Sequence, residues 1–188
     1  MIETVDYKLS VTFRRPLLST QMVGELAGPN TNDDDVDLAD AGKYTTYFFR
    51  NAKGAPILYD YHLTGYLKEA AAALNGKVHG GVKNLRQKVE NYVFVSPVEI
   101  PLLVPPDEEP GLFERPCRKR TPFGARVFIA ASETLPAETK FNAGISVYPS
   151  EISQQALEDL LDWGFYHGIG GWRTGGWGRF TYTLTPEK

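Results

Sequence analysis

The chain has 188 residues, of which 42% are hydrophobic and 23% charged, and its formal net charge is −3. This composition excludes a disordered chain and provides the apolar side chains for one folded domain over residues 1–188. No apolar run approaches the roughly 20 residues of a membrane-spanning helix, so no membrane partner is expected.

The first half of the chain predicts a strand, a long loop, a hairpin and a helix. Apolar residues alternate with polar ones over residues 7–13, which is typical of a half-buried strand. Residues 18–43 show neither strand nor helix periodicity, are rich in Gly, Asn and Asp, and predict an acidic loop insertion. Two short strands flank the turn at residues 51–54. A helix follows over residues 62–74, with Leu63, Leu67, Ala70, Ala71 and Leu74 on its core face.

The second half predicts a further series of strands and one more helix. Residues 92–103 predict a strand that Pro97 bends or confines to an edge. Residues 104–124 predict a second, irregular insertion that is rich in proline and then basic. Two strands are expected at residues 126–131 and 141–148.

A second helix is predicted to begin at Ser150. Ser150 and Ser153 supply capping oxygens, and Glu151 favours the positive end of the helix. The residues predicted to form its core face are Ile152, Leu157, Leu160, Leu161 and Phe165. A glycine-rich loop and a final strand at residues 180–184 close the order β, α, β, β, α, β. This order predicts an α+β fold with an antiparallel sheet, of the ferredoxin-like (RRM-type) class.

The glycine-rich loop reads GIGGWRTGGWG over residues 168–178. Glycines permit close backbone approach, and successive exposed amides can bind an anion. Arg173 and Arg179 can bond to phosphate, and Trp172 and Trp177 can stack on bases. The loop follows a helix and enters a strand, which excludes a dinucleotide-binding fingerprint, and it lacks the Gly-Lys-Ser/Thr of a P-loop. The alternative interpretation is a tight structural turn whose tryptophans are core residues.

This loop resembles the C-terminal glycine-rich signature of RAMP proteins, the repeat-associated RNA-binding proteins of CRISPR effector complexes. The resemblance is closest to the backbone subunits of type III complexes, which carry GG-x-[RKH]-[ST]-x-G-x-G-R-[FV]. The pattern is filled by Gly170, Gly171, Arg173, Thr174, Gly176, Gly178, Arg179 and Phe180. The resemblance implies a ferredoxin-like core, sequence-tolerant binding of single-stranded RNA, and assembly with copies of itself and other effector subunits.

Earlier segments extend the resemblance in order and spacing. Arg15-Pro-Leu-Leu-Ser19, the acidic loop, Arg50-Asn-Ala-Lys-Gly-Ala-Pro56 and Tyr61-His-Leu-Thr-Gly65 stand where the family has PLhiG, an aspartate-bearing loop, rd-x-x-G-x-P and SSLKG. Thr64 replaces the family's lysine, and Lys68 is a substitute for it. The residues predicted to bind nucleic acid are Gly168, Gly170, Gly171, Trp172, Arg173, Gly176, Gly178, Arg179, Lys68, Arg115, Arg118, Lys119 and Arg120.

The charges are segregated along the chain. The acidic loop carries Asp33, Asp34, Asp35, Asp37 and Asp40, whereas Arg115, Arg118, Lys119, Arg120 and Arg126 stand against Glu114 alone. The basic segment is interpreted as a hairpin or loop that grips RNA or a neighbouring subunit, or as a soluble loop.

Two kinds of catalysis are open to such a chain. The type III family cleaves RNA with a loop aspartate and a divalent metal, which makes Asp33, Asp34, Asp35 and Asp37 the candidates, with Mg²⁺ or Mn²⁺ as the metal. The alternative interpretation of these aspartates is a solvated acidic loop. Metal-independent cleavage uses a histidine as general base, for which His62, His79 and His167 are available.

Cys117 is the one cysteine, which excludes an intrachain disulfide and a zinc site built from cysteines. It has no identified partner base and is interpreted as incidental. The single cysteine and the lack of a signal-peptide pattern at residues 1–11 together favour a cytoplasmic location.

Three functions therefore remain open. The first is a non-enzymatic RNA-binding RAMP subunit that needs no cofactor for binding. The second is a metal-dependent endoribonuclease that uses the acidic loop. The third is a structural or interaction protein that keeps the fold without binding RNA.

Overall fold

The computed structural model of the chain describes residues 3–22, 45–121 and 124–187. The aspartates of the predicted acidic loop lie outside these ranges. At the start of that predicted loop, the structure contains two short strands, β2 (Leu17–Leu18) and β3 (Gln21–Met22). The expectation of an irregular segment from residue 18 is therefore wrong for Leu18 and for Gln21–Met22.

A four-stranded antiparallel sheet forms the centre of the structure. Its strands are β1 (Val5–Phe13), β7 (Val93–Ser96), β11 (Lys140–Val147) and β12 (Phe180–Pro186), in the order β12-β1-β11-β7. Every neighbouring pair is antiparallel. Alternate residues of β1 are fully buried, as the period of two in the sequence predicts. The predicted α+β class with an antiparallel sheet is confirmed.

Two helices cover one face of this sheet. Helix α1 (Asp60–Ala73) comes between β1 and β7 in the chain, and α3 (Gln154–Asp162) between β11 and β12. The predicted core face of α1 is confirmed, since Leu63, Leu67, Ala70 and Ala71 are buried. The Tyr66 hydroxyl joins the two helices by donating to the Leu160 carbonyl oxygen at 2.7 Å.

The start of α3 differs from the prediction. The helix begins at Gln154 rather than Ser150, because Ser153 has extended backbone angles and its hydroxyl accepts a hydrogen bond from the Ala156 amide. Glu151 instead forms an ion pair with Lys88. Ile152, Leu157, Leu160 and Leu161 are buried as predicted. Phe165 is 42% exposed, so its assignment to the core face is wrong.

Two helices escaped the sequence analysis. Helix α2 (Leu85–Tyr92) packs against α1 through Leu85 and Val89, and the single turn α4 (Gly164–His167) follows α3. α2 has only two buried positions in its eight residues, so its apolar periodicity is too short to mark a helix. Asn84 stands at its N-cap, but the Asn84 side chain makes no capping hydrogen bond.

A second sheet contains a long hairpin made of β9 (Gly111–Thr121) and β10 (Gly124–Leu135). β10 also pairs with β2 and with β4 (Thr45–Tyr47), which in turn pairs with β3. The predicted irregular insertion is therefore a regular strand over residues 111–121. Pro116 lies within β9, which pairs with β10 on one side, so its missing amide is tolerated.

The third sheet joins β5 (Phe49–Arg50), β6 (Pro56–Tyr59) and β8 (Glu99–Pro101). The predicted hairpin around residues 51–54 is confirmed by the β5–β6 pairing. The strand expected over residues 92–103 is interrupted at Pro97, as predicted, since β7 ends at Ser96 and β8 begins at Glu99. These two strands belong to different sheets.

Candidate nucleic-acid interface

The glycine-rich loop is held against the segment that follows β1. The Gly171 amide donates to the Leu18 carbonyl oxygen at 2.8 Å, and the Gly178 amide donates to the Pro16 carbonyl oxygen at 2.9 Å. A further bond, from the Ile169 amide to the Gly178 carbonyl oxygen at 3.0 Å, closes the loop on itself. These amides therefore fix the loop to its own chain, and a ligand has to be held by other groups.

Close backbone contact explains the glycines at both ends of the loop. A Cβ at Gly178 would lie 1.8 Å from the Ile169 carbonyl oxygen, and a Cβ at Gly168 would lie 2.5 Å from the Trp177 carbonyl oxygen. Both residues also have positive φ angles. Only glycine satisfies both conditions, so the spacing of these two residues is a requirement of the fold.

Two further loop glycines abut the Leu17–Leu18 strand. A Cβ at Gly170 would lie 2.7 Å from Leu17 Cδ1, and a Cβ at Gly171 would lie 2.7 Å from the Ser19 carbonyl oxygen. The loop and residues 17–19 therefore form one packed unit, in which close packing requires that Gly170 and Gly171 carry no side chain.

Aromatic rings cluster between the loop and the hairpin. The ring centroids of Phe113 and Trp177 lie 4.6 Å apart, and those of Phe113 and Trp172 lie 5.8 Å apart in a stacked arrangement. The Arg115 guanidinium lies 4.7 Å from the Trp172 ring centroid, a cation–π contact. Trp172 keeps 39% of its surface exposed, and Trp177 is half-buried. Neither tryptophan is a fully buried core residue.

Beside this cluster lies a cleft of about 430 Å³ with two arginines in its lining. Its wall is formed by Arg15, Pro16, Gly175, Gly176, Trp177 and Arg179. A Cβ at Gly176 would lie 3.5 Å from the Arg179 guanidinium carbon, so this guanidinium extends alongside the loop backbone. Arg179 Nε is buried and has no hydrogen-bond partner within residues 3–22, 45–121 and 124–187. A buried donor without a partner is costly, and Arg179 as a whole lines the cleft, where its guanidinium group can bond to an anion.

Two other predicted cations already have acidic partners. Arg173 Nη1 forms an ion pair with Glu69 Oε2 of α1. Lys68 Nζ lies 3.3 Å from Glu90 Oε1 of α2. Both pairs are partly exposed, where an ion pair is weak and can be exchanged for a phosphate. The pairing with Glu69 also joins the glycine loop to α1.

The basic hairpin carries the remaining predicted cations. Arg115 and Phe113 lie on the face of β9 that contacts the loop, and Arg118 lies on the opposite, exposed face. Lys119 and Arg120 belong to β9 as well, opposite Arg126 and Ala125 of β10. The structure thus brings Arg115 to the loop and places the other three cations farther along the hairpin.

None of the three histidines faces a second catalytic group across a cleft in the part of the chain that the structure describes. His62 Nδ1 accepts a hydrogen bond from the Tyr59 amide at 3.0 Å, and burial lowers the pKa of the imidazole. His79 Nδ1 lies 2.7 Å from Asp159 Oδ2 on the surface. The His167 ring stacks on Trp163 with centroids 3.8 Å apart. Each ring therefore has a structural contact that accounts for it.

The acidic candidates Asp33, Asp34, Asp35 and Asp37 lie outside the described residues. Within those residues, no group of three or more His, Cys, Asp and Glu side chains could hold a metal ion. Cys117 is a free, half-buried thiol on the hairpin. No helix in the described part of the chain is long and apolar enough to cross a membrane.

The face of the central sheet away from the helices is polar. Exposed or half-buried positions on it include Lys8 and Ser10 of β1, and Ser10 pairs with Asn142 of β11 and with Thr183 of β12. Along the described strands, Phe94 is the one aromatic side chain on this face. RRM domains bind bases with several aromatic side chains on this face of the sheet, and the four described strands of this sheet do not provide such a platform.

Sequence reasoning did not assign three residues to this site. Arg15 was noted only as part of a motif, although it lines the cleft with Arg179. Glu69 was not considered, because nothing in the sequence indicates that α1 approaches the loop. Phe113 precedes the basic segment, and nothing in the sequence indicates that it contacts Trp172 and Trp177.

Comparisons with known proteins give a likeness in fold. No family model matches the chain, and no curated protein matches it. A chain in the "Cryo-EM structure of the Type III-B Cmr-beta bound to cognate target RNA" aligns with a TM-score of 0.61 and 10% identity, over 97% of this chain. The aligned part spans 61% of that longer chain. A chain of a "Type IV-B CRISPR Complex" aligns with a TM-score of 0.53 and 16% identity, over 96% of this chain and 90% of that one.

The fold is therefore shared with chains of two CRISPR complexes. A fold shared with CRISPR complex subunits is consistent with the resemblance of the glycine-rich signature to RAMP proteins.

Proposed function

We propose that this chain is an RNA-binding subunit of a CRISPR-type ribonucleoprotein and that it holds a single strand of RNA along its glycine-rich loop. The shared fold supports the assignment to such a complex, and the type III-B neighbour is described as bound to its cognate target RNA. We further propose that residues 1–188 form one RAMP-like domain with insertions at 18–43 and 104–124.

A ferredoxin-like core is part of the proposal. The central strands and the helices α1 and α3 follow one another as strand, helix, strand, strand, helix, strand, with sheet order β12-β1-β11-β7. That order and the antiparallel pairing are what the ferredoxin-like class requires. Because the open sheet face lacks an aromatic platform, the RNA in this proposal binds at the loop and not on the sheet.

The cleft between Arg15 and Arg179 is the observation that carries the proposal. Two guanidinium groups can hold a phosphate with charge-assisted hydrogen bonds, and one of them has a buried nitrogen without a partner. Trp177 forms a wall of the same cleft, so an aromatic face stands next to the phosphate position. A cleft of about 430 Å³ is large enough for one nucleotide unit and is open to the next.

The other predicted cations have supporting parts in this proposal. The Arg115 guanidinium lies over one face of the Trp172 ring, where a second base can stack after Arg115 moves aside. Arg173 exchanges Glu69 for a phosphate, and Lys68 exchanges Glu90. Phosphate contacts of this kind carry no sequence preference, which fits a subunit that binds any guide sequence.

Self-association along the RNA is the second part of the proposal. The hairpin segment 115–126 holds five cations and no carboxylate, whereas residues 141–172 hold four carboxylates and no lysine or arginine. Opposite charges on separate parts of one chain favour head-to-tail contact between copies, and contact of that kind continues along a strand. Other effector subunits are partners under the same proposal.

Binding in this proposal needs no cofactor. RNA cleavage by Asp33, Asp34, Asp35 or Asp37 stays a separate prediction, because these residues lie outside the described part of the chain. It is checked by incubating the protein with labelled RNA and Mg²⁺ or Mn²⁺. Cleavage that EDTA abolishes and that Asp→Asn changes remove would assign it, and intact RNA under saturating protein would reject it.

The proposed binding mode is tested by fluorescence anisotropy with a labelled single-stranded RNA over a series of salt concentrations. Each phosphate contact with a single strand contributes about 0.7 to the slope of log K against log salt. The double variant Arg15→Gln with Arg179→Gln should therefore weaken binding and lower the slope by about 0.7, because both guanidinium groups hold the same phosphate.

Lys8→Gln serves as the matched control, since Lys8 is an exposed cation on the open sheet face. It should leave both affinity and slope unchanged. An unchanged slope in the double variant, or an equal loss in the control, would contradict the proposed cleft. Absence of RNA binding by the wild-type chain would favour a structural or interaction protein instead.

A further inference from the structure

We propose that Tyr61, supported by Tyr59 and His62, is a second base-binding site in which one nucleobase of the bound RNA stacks on the exposed Tyr61 ring. The inference rests on the proposed function, because it extends the RNA path from the glycine loop along helix α1. It assigns a role to aromatic residues that stand where the RAMP signature has serines.

The rings at the start of α1 form a preassembled stack. The centroids of Tyr59 and Tyr61 lie 5.4 Å apart, with ring planes only 15° from parallel. The Tyr61 and His62 centroids lie 4.3 Å apart, and Phe49 closes the far side at 4.9 Å from Tyr59. Despite these contacts Tyr61 is 54% exposed. A large flat ring held rigidly at the surface is the arrangement that binds a base at little cost in side-chain entropy.

His62 holds the stack through its contact with the Tyr61 ring and its hydrogen bond with the Tyr59 amide, and its own ring is uncharged. Its Nδ1 accepts the Tyr59 amide hydrogen, which leaves the imidazole proton on Nε2. Burial lowers the pKa of this imidazole below its ordinary value of 6.5, so the ring is neutral near pH 7. A neutral platform releases no counterions on binding RNA, and its contribution to affinity therefore does not depend on salt.

One face of helix α1 leads from this platform to the glycine-rich loop. Tyr61, Gly65 and Lys68 are spaced four and three residues apart and so share one face of α1. Glu69, which pairs with Arg173 of the loop, borders the same face. The eight residues from Tyr61 to Glu69 correspond to about 12 Å along the helix axis, a distance that a short piece of an RNA strand spans.

Gly65 in the middle of this face is unexplained by packing. It is exposed, it lies inside a helix where glycine costs about 1 kcal/mol relative to alanine, and a Cβ there would meet nothing within 4 Å. The fold therefore loses stability at Gly65 without a steric reason among the described residues. An RNA strand that lies directly on the backbone of α1 would explain the glycine, since a side chain at Gly65 would hold the RNA away from the helix.

The test is a double-mutant cycle between Tyr61 and the bases of the ligand. The probes are a short fluorescein-labelled oligouridylate and a ribose–phosphate strand of the same length that lacks bases. Tyr61→Ala should weaken binding of the oligouridylate about 5- to 150-fold without changing its salt slope. The same change should leave binding of the base-free strand unchanged, and Tyr61→Phe should keep wild-type affinity.

Phe94→Ala is the matched control, because Phe94 is 49% exposed but lies on the open sheet face. It should not weaken binding. A second arm uses Gly65→Gln, which should raise the thermal stability of the protein and still weaken RNA binding, a combination that a structural role cannot produce.

Several results would overturn the inference. These are an unchanged affinity in Tyr61→Ala, an equal loss for the base-free strand, an equal loss in Phe94→Ala, or loss of self-association with RNA affinity intact. The last result would assign Tyr61 to a protein contact. If wild-type protein bound neither strand, the proposed function itself would fail, so the two failures are distinguishable.

Discussion

Replacing Gly178 by alanine tests the interpretation that the glycine loop is locked to its own chain. The new Cβ would lie 1.8 Å from the Ile169 carbonyl oxygen, and the residue has φ of 65°. The obstructing atom belongs to the backbone, so no side-chain rotation relieves the overlap. The Ile169–Gly178 pair must separate, which breaks the bonds from the Ile169 amide to Gly178 and from the Gly178 amide to Pro16.

The expected loss follows from these contacts. A left-handed conformation costs an alanine roughly 1–2 kcal/mol, and each lost backbone hydrogen bond costs about 1 kcal/mol. The sum is about 3–4 kcal/mol in the free energy of unfolding. For a chain of this size, 1 kcal/mol corresponds to about 2–4 °C in Tm, so the variant should melt roughly 6–16 °C below wild type.

Differential scanning calorimetry and urea unfolding measure this change, with Gly176→Ala as the control. Gly176 also has a positive φ, but a Cβ there would come no closer than 3.5 Å to the Arg179 guanidinium. The control should lose only the conformational part, roughly 1–2 kcal/mol. If Gly178→Ala lost no more than Gly176→Ala, the interpretation of a backbone-locked loop would be wrong.

Three further predictions concern charged side chains. Glu69→Gln frees Arg173 and should raise RNA affinity by up to about fivefold in anisotropy titrations, whereas lower affinity would show that Glu69 helps binding. Burial lowers the pKa of the His62 imidazole in the folded chain, so below pH 6.5 the unfolded chain binds more protons and the folded chain loses stability. Between about pH 7 and pH 5 the Tm of His62→Asn should therefore fall less than the Tm of wild type, and an equal fall of Tm in both proteins would reject this. The buried Glu133 carboxylate accepts a hydrogen bond from the Phe48 amide and pairs with Arg50, so Glu133→Ala should cost about 1–3 kcal/mol in urea unfolding, and no loss would contradict this accounting.

The central sheet and its two covering helices follow from local patterns in the sequence. Apolar residues alternate over residues 7–13 because every second side chain of β1 faces the core. The helical spacing of Leu63, Leu67 and Ala70 has the same cause, since all three side chains are buried. The start of α3 was displaced because both Ser150 and Ser153 can cap a helix, and the sequence does not say which hydroxyl has extended backbone angles.

The hairpin could not be predicted, because its register depends on contacts distant in the sequence. β9 contains Pro116 and clustered cations, which read as irregular, yet it pairs with β10 over eleven positions. The same strand delivers Phe113 and Arg115 to Trp172 and Trp177, some sixty residues later in the chain. A local pattern carries no information about such a meeting.

For the candidate site, the sequence predicted the loop and its cations but not the role of the glycines. The residue types suggested an anion site made of amides, whereas Gly171 and Gly178 use their amides to fasten the loop to the Pro16–Leu18 segment. The proposed site has moved from the backbone to side chains, above all to the cleft between Arg15 and Arg179.

The most direct test of the central claim is photocrosslinking of the protein to single-stranded RNA, followed by mass spectrometry of the crosslinked peptides. We predict crosslinks in peptides that contain Trp172 and Trp177, and in the peptide that contains Tyr61. Crosslinks confined to β1 and β11 on the open sheet face, or their absence at saturating RNA, would contradict RNA binding along the glycine-rich loop.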